Sequence, residues 1–146
     1  MKRKSVRIYS FTGTGSRLAL NLAEKLKQEG YVCTGYTVAR FAEDKRLQRL
    51  NDGWKQEIGA SWGEHALVFI GAAGIAIRAI APFVKDKFTD PPVIVLDEKG
   101  TFAIPLLSGH VGGGVTLAKV LAEYTGGRAV ITTATDVQKK FAADVF

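Results

Sequence analysis

Apolar positions along the chain change their spacing several times, and each change predicts an element. Residues 6–12 alternate and are rich in β-formers, which predicts a first strand. A turn at residues 13–16 follows, with Ser16 as the expected cap of a helix running to about Gln28. Leu18, Leu22 and Leu26 recur four apart on one helix face, and Gly30 closes the segment. Residues 31–39 read as a second strand. Leu47, Leu50, Trp54 and Ile58 then suit a helix over residues 44–59, interrupted near Asp52-Gly53. Residues 66–70 form a wholly apolar run, as a strand buried on both faces requires. Residues 74–84 are apolar nearly all round, with one charge at Arg78, and predict a buried helix.

Pro91-Pro92 breaks the pattern. Two short β-forming runs, residues 93–96 and 102–107, flank Asp97-Glu98-Lys99-Gly100 and predict a hairpin whose glycine takes a positive φ. Pro105 inside the second arm demands an edge position or a strand end. After a glycine-rich stretch, Leu117, Val120, Leu121 and Tyr124 mark a helix stopped by Gly126-Gly127. Residues 129–133 read as a last strand, and residues 136–146 as a short helical or linking tail. Strands alternating with helices predict an α/β layered sandwich, Rossmann-like, with a mainly parallel sheet that the hairpin makes mixed. Residues 1–136 are expected to form a single α/β domain, with 137–146 as tail or linker.

Composition narrows the class without choosing a function. The 146 residues are 47% hydrophobic and 23% charged, which argues against disorder and suits one core. A single cysteine, Cys33, excludes an internal disulfide and a cysteine-built zinc cluster. No apolar run is long enough for a membrane span, and the basic N-terminus leads into a strand pattern. The expectation is a soluble, cytoplasmic protein with no membrane contact. The net charge of +6 lies mostly in residues 1–65. It serves solvation or attraction of an anion. Nucleic acid is not expected, because basic residues interleaved with aromatics and recognition motifs are missing.

Three strand-to-helix junctions are rich in small residues, where exposed N–H groups can hold anions. The first, Thr12-Gly13-Thr14-Gly15-Ser16, fails the dinucleotide pattern because its third glycine position is Leu18. The second, Gly71-Ala72-Ala73-Gly74, lets a ligand approach closely. Arg78, one turn on, either pairs with an internal carboxylate or clamps a substrate carboxylate. The third, residues 108–114, has four glycines in six residues around His110. Ser108, Gly109, Gly112 and Gly113 are candidate ligand contacts there. His110 is either a general acid or base, or a brace for its own loop. His65 precedes a buried strand and reads as structural or exposed. No metal-ligand spacing occurs, so no protein-bound metal is expected.

Five stretches in this order resemble one family. They are GAAGIAIRAIAP from Gly71, Thr89-Asp90-Pro91, VLDEKG from Val95, PLLSGHVGG from Pro105 and ITTATD from Ile131. Together they are similar to the CbiG family, the cobalt-precorrin-5A hydrolases of anaerobic cobalamin biosynthesis. The resemblance implies an anionic cobalt-corrinoid substrate whose ring A acetate δ-lactone is opened, with acetaldehyde released. The cobalt would arrive in the substrate, so no cofactor is implied. On that reading His110 is the favoured base, with Asp97 or Glu98 orienting it or replacing it. Arg78 and Lys99 would hold carboxylates. Gly71, Ala73, Gly74, Ser108, Gly109, Gly112 and Gly113 would shape the site. The alternative is a non-catalytic corrinoid-binding module that needs a separate domain for turnover. The family implies such a C-terminal domain as partner, so the chain is expected to be a fragment or a split version. Self-association is left open.

Overall fold

Ser5–Ser10 (β1) carries Val6 and Ile8 on one side and Tyr9 among the side chains of the other, each nearly solvent-free. That two-sided burial places it at the centre of a sheet, not at an edge. The computed structural model describes residues 4–108 and 113–132. Among these, the remaining strands are Val32–Thr37 (β2), Leu47–Arg49 (β3), Ala66–Ile70 (β4), Val93–Leu96 (β5), Phe102–Leu107 (β6) and Arg128–Ala129 (β7). The helices are Gly13–Gln28 (α1), Trp54–Ala60 (α2), Ala73–Ile80 (α3) and Gly114–Thr125 (α4).

The seven strands lie in the order β3-β2-β1-β4-β5-β6-β7. The first five are mutually parallel, β6 runs antiparallel to β5, and β7 runs parallel to β6. This is the expected mixed, Rossmann-like α/β sandwich. The strand order reverses between β1 and β4, the switch point of a doubly wound sheet. Because β6 is reversed, the loop after it opens at the end of the sheet opposite to the loops after β1, β4 and β5.

One face is covered by α1 and α4. Leu22, Leu26, Leu117 and Leu121 pack there against Val6, Ile8, Val68, Ile70, Ile94 and Leu96. On the other face, Ile58 of α2 and Ala76, Ala79 and Ile80 of α3 meet Tyr9, Leu67, Phe69, Val93 and Val95. The hairpin forms as expected. Gly100 sits at φ +70°, where a Cβ would come within 2.7 Å of the Thr125 side chain. Pro105 coincides with a register shift in the β5–β6 ladder and lies beyond the short β7 pairing, so its missing N–H breaks nothing.

Three expectations are corrected. Thr12, not Ser16, caps α1. Its hydroxyl accepts the Gly15 N–H at 3.0 Å, while Ser16 is buried and its hydroxyl donates to the Thr12 carbonyl at 2.7 Å. The helix expected over residues 44–59 is instead the edge strand β3 followed by the short α2. Leu47 buries itself against Gly35, where a Cβ would stand 2.7 Å from a Leu47 methyl, and the Leu50 N–H donates to the Thr37 carbonyl at 2.8 Å. Sheet pairing thus outweighs a helical spacing that Asp52-Gly53 already interrupts. Third, α3 is not buried all round, since Ile77 is 52% exposed. Of the expected last strand, residues 129–133, only Ala129 lies in β7, which is Arg128–Ala129. Residue 133 and the tail beyond it lie outside the described residues.

Candidate functional site

At the switch point the chain leaves β1 and β4 through short turns. Beyond β1, Thr12 starts the 16-residue α1 with its N-terminal N–H groups at the crevice. Beneath that turn lies a small hydroxyl network. Ser16 and Thr37 share a hydrogen bond of 2.6 Å, and the Ser10 hydroxyl donates to the Tyr36 carbonyl at 2.9 Å. These bonds tie the start of α1 to the carboxyl ends of β1 and β2. Beyond β4, Gly71 sits at φ +147°, a backbone conformation side chains rarely adopt. Its N–H donates to the Leu96 carbonyl at 2.8 Å, which sets Asp97 and Glu98 beside the Gly71–Gly74 turn.

Next to this turn lies an open cavity of about 470 Å³. Phe11, Trp54 and Ile75 give it an apolar wall, and Asp52, Lys55 and Arg78 give it charge. Phe11 and Trp54 rings stand 5.7 Å apart, and Trp54 stands equally far from Tyr9, which stacks between Tyr36 and Phe69 at 5.1 Å from each. The wall is therefore the end of a packed aromatic column, rigid before any ligand arrives. Burial pushes the Tyr9 hydroxyl up to about 12 despite the nearby Arg7.

Arg78 is exposed, and among the described residues no carboxylate pairs with it. The internal ion pair expected as one option is absent there, and the guanidinium reaches the cavity. Gly74 makes room for it, since a Cβ at Gly74 would lie 3.1 Å from Arg78 Nη1. Of the hairpin residues, Asp97 is engaged by its own turn. Its carboxylate accepts the N–H groups of Phe102 at 2.7 Å and Lys99 at 3.3 Å. Partial burial works against its ionisation, but the backbone donors outweigh it and hold the carboxyl below its ordinary value. Glu98 is half-buried and Lys99 exposed, and neither side chain has a hydrogen-bond partner among the described residues.

The stretch 109–112, which includes His110, is bounded by residues at the opposite end. Its flanks, Ser108 and Gly113, stand by the start of β5, and the Gly114 N–H donates to the Ser108 carbonyl at 3.2 Å. His110, Gly109 and Gly112 lie outside the described residues. Ser108 holds φ +53°, unusual for a residue with a side chain, and its buried hydroxyl donates to the Asp90 carbonyl at 2.8 Å. That hydroxyl is used within the fold. Gly113 instead borders a second cavity of about 500 Å³, with Lys4, Tyr31, His65, Pro92 and Thr116. His65 Nδ1 shares a 2.6 Å hydrogen bond with the Ser5 hydroxyl. Burial, helped by Arg7, lowers its pKa against the opposing pull of Glu64.

The site residues expected from sequence thus fall into two groups. Gly71, Ala73, Gly74, Arg78, Asp97, Glu98 and Lys99 share the carboxyl end of the parallel strands. Ser108 and Gly113 share the amino end. Sequence reasoning missed Phe11, Trp54 and Lys55, since aromatic residues at helical spacing read as core. It also passed over Asp90. That buried carboxylate accepts the Trp62 indole N–H at 2.9 Å and the Lys85 N–H at 3.0 Å to each oxygen. The Thr89-Asp90-Pro91 stretch was its only signal.

A sheet with this order, reversing between β1 and β4, defines a doubly wound α/β domain. Sequence comparison is more specific. Residues 58–136 match the family model described as Cobalamin synthesis G N-terminal, and the chain belongs to that family. It is 40% identical to a cobalt-precorrin-5A hydrolase of Salmonella typhimurium over 99% of its length, and 32% identical to that of Priestia megaterium over 99%. It spans 40% and 39% of the lengths of those two relatives. A cobalamin biosynthesis protein G homolog from Sulfolobus solfataricus has a similar solved structure. The TM-score is 0.68 at 26% identity, covering 88% of this chain and 36% of that one.

Proposed function

We propose that this chain is the substrate-binding part of a cobalt-precorrin-5A hydrolase, acting on an anionic cobalt-corrinoid. The observation that carries the reading is the 40% identity, over almost the whole chain, to a relative with that name. The site at the carboxyl end of the sheet suits the substrate class. A corrinoid is a broad apolar ring edged with carboxylates. The cavity pairs an aromatic wall with Arg78 and Lys55, and the Gly71–Gly74 turn leads into the helix that carries Arg78. Bidentate capture of an acetate or propionate arm by Arg78 would fix the ring's orientation.

Opening the δ-lactone requires water activated against an ester carbonyl, donors for the oxyanion, and removal of a proton as the carbon–carbon bond breaks. We place that chemistry at the Arg78 end. Of the two hairpin carboxylates, Glu98 is the one with no hydrogen bond among the described residues, whereas Asp97 is occupied by its turn. Lys99 offers a second cation. His110, on a loop anchored at the other end, is then a brace or a docking element, and an Asp97–His110 pair within one copy is disfavoured. The C-terminal polypeptide of longer family members completes the enzyme. Cobalt enters with the substrate.

The test is acetaldehyde release from cobalt-precorrin-5A by a full-length protein containing this chain. Glu98→Gln is expected to lower turnover at least about 100-fold, the usual scale for loss of an acid or base. His110→Ala is expected to keep most of it. If His110→Ala abolishes release and Glu98→Gln does not, the chemistry belongs to the amino end. If the full-length protein releases none, the hydrolase reading fails.

A further inference from the structure

The two faces of the sheet are covered unequally. Helices α1 and α4 span one face from β2 to β7. On the other face, among the described residues, α2 and α3 cover the sheet as far as β5 and meet β6 only at its end, where Leu106 and Leu107 pack against their cluster. Strand β6 shows what remains open. Its Ala103 and Pro105 are buried on the covered side, while Phe102, Ile104 and Leu106 alternate onto the other. Phe102 is 46% exposed, and neither it nor Ile104 packs into either core cluster. Beyond β7, Val130 continues this strip, its N–H donating to the Ala103 carbonyl at 2.9 Å.

Helix α3 forms the other bank. Ile75 and Arg78 lie on the flank that lines the cavity shared with α2. Successive helix residues turn by about 100°. Ile77 therefore belongs to the opposite flank, toward β6, and is 52% exposed. The result is an apolar trough running along β6, walled by α3. Mainly parallel sheets are covered on both faces, because each face carries apolar side chains. A half-covered face of this kind marks an interaction surface.

We infer that this trough seats the C-terminal polypeptide that longer family members carry. The matched family model is an N-terminal one, and this chain spans only 40% of the Salmonella typhimurium relative. The rest of such a protein must pack somewhere, and the last described strand, β7, lies along this same edge. The inference rests on family membership and not on the assignment of catalytic groups, so either can fail without the other.

The experiment introduces Phe102→Glu and, separately, Ile104→Asp, into this chain and at the aligned positions of the full-length Salmonella typhimurium relative. Thermal unfolding and analytical ultracentrifugation are followed. In this chain alone Phe102→Glu should move Tm by less than about 2 °C, because among the described residues that side chain is 46% exposed. In the longer protein both changes should lower Tm by about 5 °C or more and split one transition into two. Val32→Glu, at an exposed apolar site elsewhere, serves as control and should shift neither protein. Equal, small shifts in both proteins would overturn the inference. So would a dimer of this chain that Phe102→Glu dissociates, since the occupant would then be a second copy.

Discussion

The polar side chains singled out near the two cavities, at opposite ends of the sheet, are used differently. At the amino end, the Asp90 carboxylate accepts from Trp62 and Lys85, the Ser108 hydroxyl is spent on Asp90, and His65 is tied to Ser5. At the carboxyl end, Arg78 reaches a cavity without a carboxylate partner among the described residues, and Glu98 and Lys99 make no hydrogen bond there. Polar groups that satisfy one another hold shape. Polar groups left with donors or acceptors to spare are available to a ligand. The comparison therefore separates residues whose loss should unfold the protein from residues whose loss should leave it folded but unable to bind.

The largest effect is expected at Asp90. Replacement by alanine leaves the Trp62 indole N–H and the Lys85 N–H without their buried acceptor. Hydrogen bonds to a charged group contribute roughly 1.5–3 kcal/mol each, and unsatisfied donors add a penalty. Asp90→Ala should cost about 3 kcal/mol in urea unfolding, and Asp90→Asn, which keeps one acceptor, clearly less. A cost under about 0.5 kcal/mol would show that the amino end is not held by this carboxylate, and the contrast between the ends would collapse.

Arg78 tests the other half. Because Arg78 is exposed and has no carboxylate partner among the described residues, Arg78→Ala should unfold no more easily than the native chain, within about 0.5 kcal/mol. Binding of a corrinoid polycarboxylate, measured by titration calorimetry, should weaken about tenfold, equivalent to about 1.4 kcal/mol. Arg78→Lys should recover only part of this, because an ammonium lacks the planar fork. Unchanged affinity would move the site away from the switch point.

How far the chain could be read depended on whether local pattern or distant contact decided each element. Strand β4 and the β5–β6 hairpin follow from local signals: an unbroken apolar run, and Gly100 in the short connection of residues 97–101. Residues 44–59 do not. Leu47 and Leu50 fit a helical period, yet Leu47 becomes a strand residue because Gly35, twelve positions earlier, leaves it a socket. The candidate site was legible as a list but not as a place. Each glycine junction looked equivalent in sequence. Only the reversal of β6 showed that the Gly71 and Ser108 junctions open in opposite directions. Asp90 escaped notice because a buried acceptor for an indole and a backbone N–H leaves no periodic trace.

The smallest expected effect is a pH dependence at His65, and it sharpens the contrast from the amino end. Burial disfavours the imidazolium, and the neighbouring Arg7 adds to this, so the folded pKa lies below the unfolded value of 6.5. Between those two values the unfolded chain binds more protons than the folded one. The stability held by neutral His65 is thus complete above about pH 6.5 and is lost as pH falls below it. Comparing urea midpoints at pH 7.5 and 5.5 should show a larger drop for the native chain than for His65→Gln. Equal drops would mean that His65 ionises freely in the folded state. The amino-end cavity would then gain a cation beside Lys4 on mild acidification, and it would become a rival to Arg78 for the same anionic substrate.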